Sequence, residues 1–145
     1  MKIIASIFGI GYIGKGGGTV AAVAAALLWY FLQPNIGQQL ILVIITLVLG
    51  VWSGNKVEAD WGKDSSKVVI DEVAGMFIAA LFIPVSISYL VAALVLFRFF
   101  DIAKPLGVRR MERFKGGWGV MLDDILAGVY ANVILQFVVY TKLLE

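Results

Sequence analysis

The feature of this sequence that most restricts its fold is a set of long stretches without any formal charge. Residues 16–55 form the longest, at 40 residues, and residues 73–97 and 125–141 add 25 and 17 more. A membrane-spanning helix needs about 20 apolar residues, with about 17 as a minimum. Hydrophobic residues make up 61% of the chain and charged ones 15%, whereas soluble domains are about a quarter charged. The sequence therefore predicts an integral membrane protein.

Helix-ending residues divide the chain into about five predicted helices, which we expect to form an all-α, polytopic membrane bundle. At 145 residues the chain has the length of one domain, taken as residues 1–145. The first helix is short, because the apolar residues 20–32 reach only about 20 Å of a hydrocarbon core that is about 30 Å thick. The predicted helices cover about 19–32, 36–54, 68–84, 86–99 and 121–142.

Pro84 leaves two topologies open, one kinked helix over residues 73–97 or a tight hairpin of two helices. In the hairpin, the uncharged turns at Pro34 and Pro84 face one side of the membrane and every other loop faces the opposite side. That side then collects 11 of the 12 basic residues and nine of the ten acidic ones. Since basic residues concentrate on the cytoplasmic side, we predict the hairpin, with the charged face at the cytoplasm.

A glycine-rich loop precedes the first helix, with six glycines among residues 9–18 and Thr19 as the predicted helix cap. Two interpretations remain open. The loop is either a flexible turn that lets helices pack, or a phosphate cradle at a helix start, where free amides favour anions. In the second interpretation Gly18 and Thr19 bind substrate.

Pairs of acidic residues mark the predicted starts of two helices. Asp71 and Glu72 begin the third, and Asp123 and Asp124 begin the fifth. Acids at helix starts are often simple dipole partners, but ionisable groups beside hydrocarbon are costly and usually functional. Glu72 and Asp124 also each share a helical face with small residues, which allow membrane helices to approach closely. Those small residues are Gly75 and Ala79 on the third helix and Ala127, Gly128 and Ala131 on the fifth.

The two helices could thus bring their carboxylates together, and carboxylate oxygens suit Mg²⁺. Arg98 and Lys104 stand near the end of the fourth helix, either as interfacial anchors or as a phosphate clamp oriented by Asp101. The basic residues of 109–115 fit attraction to anionic headgroups. A small oligomeric channel or transporter with acids along an ion path is the alternative from another functional class.

Cysteine and histidine are both absent from the sequence. This excludes disulfides, cysteine-based phosphatase chemistry, phosphohistidine intermediates and Cys/His zinc sites. The net charge of +2 is too small to indicate nucleic-acid binding. The groups that remain for chemistry are carboxylates, basic residues, hydroxyls and backbone amides, which suit metal-assisted chemistry on a phosphorylated amphiphile.

Four motifs in this order resemble the phosphatidylglycerophosphatase A family of bacterial membrane lipid phosphatases. They span residues 8–128. In sequence order they are Phe8-Gly9-x-Gly11 with Gly18-Thr19; Asp64 with Val69-Ile70-Asp71-Glu72-x-x-Gly75-Met76; Phe97-Arg98-x-x-Asp101-x-x-Lys104-Pro105; and Gly116-Gly117-x-Gly119-Val120-Met121-x-Asp123-Asp124-x-x-Ala127-Gly128.

The resemblance implies a role in phospholipid biosynthesis. The implied reaction is the Mg²⁺-dependent hydrolysis of phosphatidylglycerophosphate to phosphatidylglycerol and phosphate. The expected partners are this substrate and the lipid bilayer, with a homo-oligomer left open. The expected catalytic residues are Asp71, Glu72, Asp123 and Asp124. The expected metal ligands are Asp64, Glu72, Asp101 and Asp124, and the expected substrate-binding residues are Gly18, Thr19, Arg98 and Lys104.

Overall fold

The computed structural model of the chain describes residues 7, 17–61, 70–103 and 116–141. Within these residues the chain forms five α-helices, as predicted, and no strand. The third helix lies centrally, in contact with each of the other four. The helices are α1 (Gly17–Leu32), α2 (Ile36–Trp61), α3 (Ile70–Ala80), α4 (Ile87–Ala103) and α5 (Gly116–Thr141).

Two of the described helices are long and apolar enough to cross a membrane, over Ile36–Ser53 in α2 and Met121–Thr141 in α5. The first helix is apolar but shorter, as predicted. Large apolar side chains also cover much of the outer surface; Phe137, for example, is 69% exposed. An apolar exterior of this extent suits lipid contact better than water. The chain is therefore a membrane-associated protein.

The segment around Pro84 forms a turn between two helices, which confirms the predicted hairpin. The third helix ends at Ala80, and Phe82 has a φ of 63°, a backbone conformation that interrupts a right-handed helix. Gln39 connects this turn to the one at Pro34. Its amide donates to the Pro34 carbonyl at 3.1 Å, and its Oε1 accepts from the Phe82 N–H at 2.9 Å. The two uncharged turns therefore lie at the same end of the bundle.

Four predicted helix boundaries were wrong. The third helix ends at Ala80 and not at Pro84. The second helix continues past residue 54 to Trp61, because lysine and glutamate there are good helix formers. The fourth runs to Ala103 and so includes Arg98 and Asp101. The fifth begins at Gly116 rather than near 121, because glycine is better tolerated in membrane helices than in soluble ones.

The first helix begins at Gly17, so Thr19 is its third residue and not its cap. Gly18 and Thr19 nevertheless lie in the first turn, where backbone N–H groups have no partner within the helix. The predicted loop ahead of them, apart from Ile7, lies outside the described residues. The helix start therefore keeps the donors that an anion-binding site needs.

Close contact between α3 and α5 determines where their acidic residues meet. A Cβ atom added to Gly128 would lie 2.5 Å from the Gly75 carbonyl oxygen, and one added to Gly75 would lie 2.9 Å from the Asp124 carbonyl oxygen. Only glycine fits such an approach of two backbones. The predicted small-residue faces are thus the contact surface, and residues 79, 127 and 131 are also buried there.

The far end of this contact is held by hydrogen bonds from Asn132. Its amide nitrogen lies 3.1, 3.1 and 2.7 Å from the carbonyl oxygens of Ile78, Ala79 and Leu81. These carbonyls belong to the C-terminal end of α3, where helix carbonyls lack partners within the helix. Asn132 therefore fixes the position of α3 along α5.

Candidate active site

Five carboxylate side chains from three helices converge where α3, α4 and α5 meet. Four of them are buried, with exposures of 8% or less, and the Glu72 side chain is 14% exposed. These carboxylates form two overlapping groups. Within each group, every residue has one oxygen that lies within 4.8 Å of an oxygen from each of the other members. One group is Asp71, Glu72 and Asp124; the other is Asp101, Asp123 and Asp124. We call these five residues the carboxylate cluster, and Asp124 belongs to both groups.

The first group contains buried oxygens that accept no hydrogen bond from the described residues. They are Asp71 Oδ1, Glu72 Oε2 and Asp124 Oδ2. A buried, unpaired polar atom costs about 1–3 kcal/mol, and more if it is charged. Such atoms need an explanation, and a bound ion is one of the usual ones. Three of them in one group form a set of oxygens that a cation could satisfy.

Arg98 lies beside the cluster. Within the described part of the chain, it is the basic residue that pairs with these carboxylates. Its Nη1 lies 3.8 Å from Glu72 Oε1 and donates a hydrogen bond to Asp101 Oδ2 at 2.5 Å. Arg98 and Asp101 are three residues apart on α4, so their side chains share one face of the helix. Asp101 therefore contacts Arg98 as predicted, and the Nε–H of Arg98 donates to no acceptor among the described residues.

The position of Asp123 and Asp124 in α5 excludes the dipole explanation for this pair. They are the eighth and ninth residues of the helix, whereas the dipole effect fades within the first turn. The N–H of Asp124 donates to Asp123 Oδ1 at 2.9 Å. Both acids are nearly inaccessible to solvent, Asp124 at 1% exposure. Asp71 and Glu72, in contrast, lie in the first turn of α3, as predicted.

The first helix closes one side of the cluster at Gly18. A Cβ atom there would lie 2.7 Å from Glu72 Oε1, so a larger residue would displace the carboxylate. Thr19, the next residue, is exposed. The start of α1 therefore faces the cluster, as the phosphate-cradle interpretation requires. Asp64 and Lys104, also predicted as site residues, lie outside the described residues.

Comparison with known proteins identifies the family. The sequence model described as phosphatidylglycerophosphatase A matches residues 3–139, which is most of the chain. The chain belongs to the phosphatidylglycerophosphatase A family. It is therefore a phosphatase, a phosphoric monoester hydrolase, as the four motifs predicted.

The named relatives are all phosphatases, but their names give different lipid substrates. A Bacteroides thetaiotaomicron protein with the provisional name phosphatidylinositol-3-phosphatase is 44% identical over 142 residues, which cover 92% of this chain and 89% of the relative. Phosphatidylglycerophosphatase A of Haemophilus influenzae is 36% identical, covering 99% and 91%. The Escherichia coli K12 protein of the same name is 34% identical, covering 94% and 81%. No solved structure matches the chain.

Two polar residues that position the site were missed at the sequence level. Asn132 and Gln39 tie helix ends together through the contacts described above. Each is an uncharged amide inside a long apolar stretch. This position is the sequence feature that could have marked both residues as structurally important. Buried amides in membrane helices commonly bond across helices. Their partners at and after the end of α3 are more than 40 residues away in sequence, so these pairings were not predictable.

Proposed function

We propose that this protein is a Mg²⁺-dependent phosphatidylglycerophosphatase, which hydrolyses phosphatidylglycerophosphate to phosphatidylglycerol and inorganic phosphate. The observation that carries the proposal is the group formed by Asp71, Glu72 and Asp124, whose unpaired buried oxygens lie beside Arg98. In a member of a phosphatase family, the carboxylates supply a binding site for a metal cation, and Arg98 supplies a positive charge that can bind the phosphate. The family and two of the relatives described above support the substrate.

The donor set suits a hard divalent cation. Mg²⁺ prefers carboxylate oxygens and usually keeps several waters, and the first group offers three carboxylates and neither sulfur nor nitrogen ligands. Asp71, Glu72 and Asp124 would hold the ion. When bound, the ion supplies charge neutralisation at the phosphate and a more acidic water.

The residues of the chain then have separable roles in hydrolysis. Arg98 binds the phosphate oxygens, and Asp101 holds its guanidinium in orientation. The amides at Gly18 and Thr19 donate to the same phosphate. A carboxylate of the cluster takes a proton from the attacking water as the water oxygen bonds to phosphorus. The ester P–O bond breaks, and the leaving glycerol oxygen takes up the proton that the carboxylate received, so the products are an alcohol and inorganic phosphate.

The first prediction concerns metal and substrate. The purified protein in detergent is expected to release phosphate from phosphatidylglycerophosphate in Mg²⁺ and to stop when EDTA is added, because the cluster then carries uncompensated charge. Phosphatidylinositol 3-phosphate is expected to react more slowly. The measurement is released phosphate, with both lipids at equal mole fraction in the same micelles.

Restoration by excess Mg²⁺ is the control that separates metal removal from denaturation. Unchanged activity in EDTA would contradict the metal dependence. A faster reaction with phosphatidylinositol 3-phosphate would contradict the substrate and leave the chemistry in place.

We further propose that the bundle is a multi-pass protein of the bacterial inner membrane, with the carboxylate cluster at the cytoplasmic face. The turns that Gln39 joins carry no charge, and they lie at the end of the bundle away from Arg98 and the acids. Basic residues are concentrated in the loops at the opposite end of the bundle. Because such residues are enriched on the cytoplasmic side of membrane proteins, that end is expected to face the cytoplasm.

The second prediction tests this orientation. Because the chain contains no cysteine, single cysteines report without background. Asn35→Cys and Val85→Cys are expected to react with an impermeant thiol reagent in intact cells, whereas Lys56→Cys is expected to react only after the membrane is opened. Labelling of Lys56→Cys in intact cells, with protection of the other two, would reverse the orientation.

A further inference from the structure

An apolar groove of about 300 Å³ lies between α1 and α4. Its wall on α1 comes from residues 23–31, and its wall on α4 consists of Ile87, Leu90, Val91 and Leu94. Leu90 is buried, whereas Ile87 and Val91 are exposed, so the groove has a buried floor and an open side. In a membrane protein such an open apolar side faces lipid. The groove can therefore take up an apolar chain directly from the bilayer.

The wall of the groove on α4 continues into the candidate active site. Residues three, four or seven positions apart share one face of an α-helix, and Leu94, Arg98 and Asp101 have this spacing. Leu94 precedes Arg98 by four residues, about 6 Å along the helix axis. The face of α4 that lines the groove therefore carries, one turn further on, the arginine and one carboxylate of the site.

The wall on α1 leads to the same place. One oxygen of Glu72, Oε1, lies 3.8 Å from Arg98 Nη1 and would lie 2.7 Å from a Cβ atom at Gly18. Glu72 therefore lies between the start of α1 and the C-terminal half of α4. Val23, the first groove residue on α1, is five residues beyond Gly18, or about 7.5 Å. The end of the groove formed by Val23 and Leu94 is thus the end nearest to the site.

We propose that this groove binds one acyl chain of the lipid substrate while Arg98 holds the terminal phosphate. The inference rests on the proposed function and adds the position of the chain. In phosphatidylglycerophosphate, a glycerol and a phosphodiester separate the terminal phosphate from the acyl chains. An acyl-chain site is therefore expected close to the phosphate site but not in contact with it. A groove that begins one helical turn from Arg98 meets this requirement.

A second apolar groove, of about 380 Å³ between α1, α2 and α3, lacks this relation to the site. Its wall on α3 consists of Ile70, Val73 and Phe77. These residues lie on a different face of the helix from Asp71 and Glu72. The positions of the walls therefore favour the groove between α1 and α4 for the chain of a lipid whose phosphate is at the site.

The first experiment compares two variants on two substrates. Ala26 lines the proposed groove and Ala24 the other one, and both are half-buried residues of α1. The substrates are phosphatidylglycerophosphate with oleoyl chains and its deacylated headgroup, which has no chain to bind. Ala26→Phe is expected to lower kcat/KM for the oleoyl lipid about tenfold relative to the headgroup, because binding of the chain helps to orient the phosphate. Ala24→Phe should leave the ratio between the two substrates unchanged. A ratio that is unchanged in Ala26→Phe, or changed equally in both variants, would overturn the proposal.

A second pair of variants avoids overpacking inside the bundle. Val91 is an exposed residue at the open side of the proposed groove, and Val48 is an exposed valine of α2 that lines neither groove. Val91→Trp is expected to change the substrate ratio in the same direction as Ala26→Phe, and Val48→Trp should leave it at the wild-type value. Equal ratios in the two tryptophan variants would contradict the proposed position of the chain.

A binding measurement on the wild-type protein keeps the test independent of folding and of turnover. A phosphonate analogue of the lipid, with a diazirine in one acyl chain, is expected to label Leu27 and Leu90. Excess unlabelled phosphatidylglycerophosphate should prevent this labelling, and an equal amount of phosphatidylcholine should not. Labelling confined to Leu28 and Phe77 of the second groove, or labelling that both lipids dilute equally, would overturn the proposal. Absence of hydrolysis with either substrate would instead overturn the proposed function, and the labelling would still decide the groove.

Discussion

Replacing Asp124 by asparagine is expected to reduce phosphate release by more than about 100-fold, since even residues that only support metal ligands typically cost 10–100-fold when changed. Asp124 belongs to both carboxylate groups and is 1% exposed, and its Oδ2 accepts no hydrogen bond from the described residues. Asparagine keeps the shape of the side chain but loses the charge that a cation requires. Helical content, measured by circular dichroism, should stay at the wild-type level.

Two further measurements make the result specific to the cation. Mn²⁺ binding by equilibrium dialysis should weaken in Asp124→Asn and also in Glu72→Gln, which removes a second member of the same group. Val133→Ala changes an exposed residue of the same helix and should keep normal binding and turnover. Wild-type rates and wild-type Mg²⁺ dependence in both amide variants would show that the acids are structural, and the proposed site would then be wrong.

The second large effect is expected at the glycine contact between α3 and α5. In Gly128→Val, the Cβ would lie 2.5 Å from the Gly75 carbonyl oxygen and 3.2 Å from Ile78 Cβ. The first of these neighbours is backbone, so the helices have to separate. Overpacking of this kind costs about 1–3 kcal/mol of stability. Separation also shifts Asp71 and Glu72 relative to Asp124, and a misplacement of about 1 Å can cost about 100-fold in rate.

The measurement pairs thermal unfolding in detergent with phosphate release. Gly128→Val should lose both stability and activity, and Gly128→Ala should show the same losses to a smaller degree. Gly37→Ala is the matched control, because its Cβ would meet only Asn35 Oδ1, at an ordinary 3.4 Å. An unfolding temperature and a rate at wild-type level in Gly128→Ala would show that the two backbones are not in the close contact described here.

The residue types of the site and the number of helices could both be predicted from the sequence. The length of an apolar stretch and the positions of charged residues can be read directly from the sequence. Each membrane helix makes its backbone hydrogen bonds within its own segment, so such local features are enough to predict it. The hairpin at Pro84 followed from the same charge argument. The ends of α2 and α5 could not be predicted in this way, because helix ends depend on what surrounds them. Gly116 and Gly117 lie inside a helix that propensity alone would have started later.

The sequence by itself determined that this chain associates with a membrane, that carboxylates and arginine are its candidate site residues, and that it resembles one phosphatase family. These conclusions depend on composition and on motifs that are contiguous in the chain. The tertiary structure alone decided that Asp124 is shared by two carboxylate groups and that Arg98 lies beside Glu72. The cluster joins residues that are tens of positions apart, and the packing of Gly75 against Gly128 sets the distance between the acids. Such distances follow from how helices dock, which no local pattern specifies.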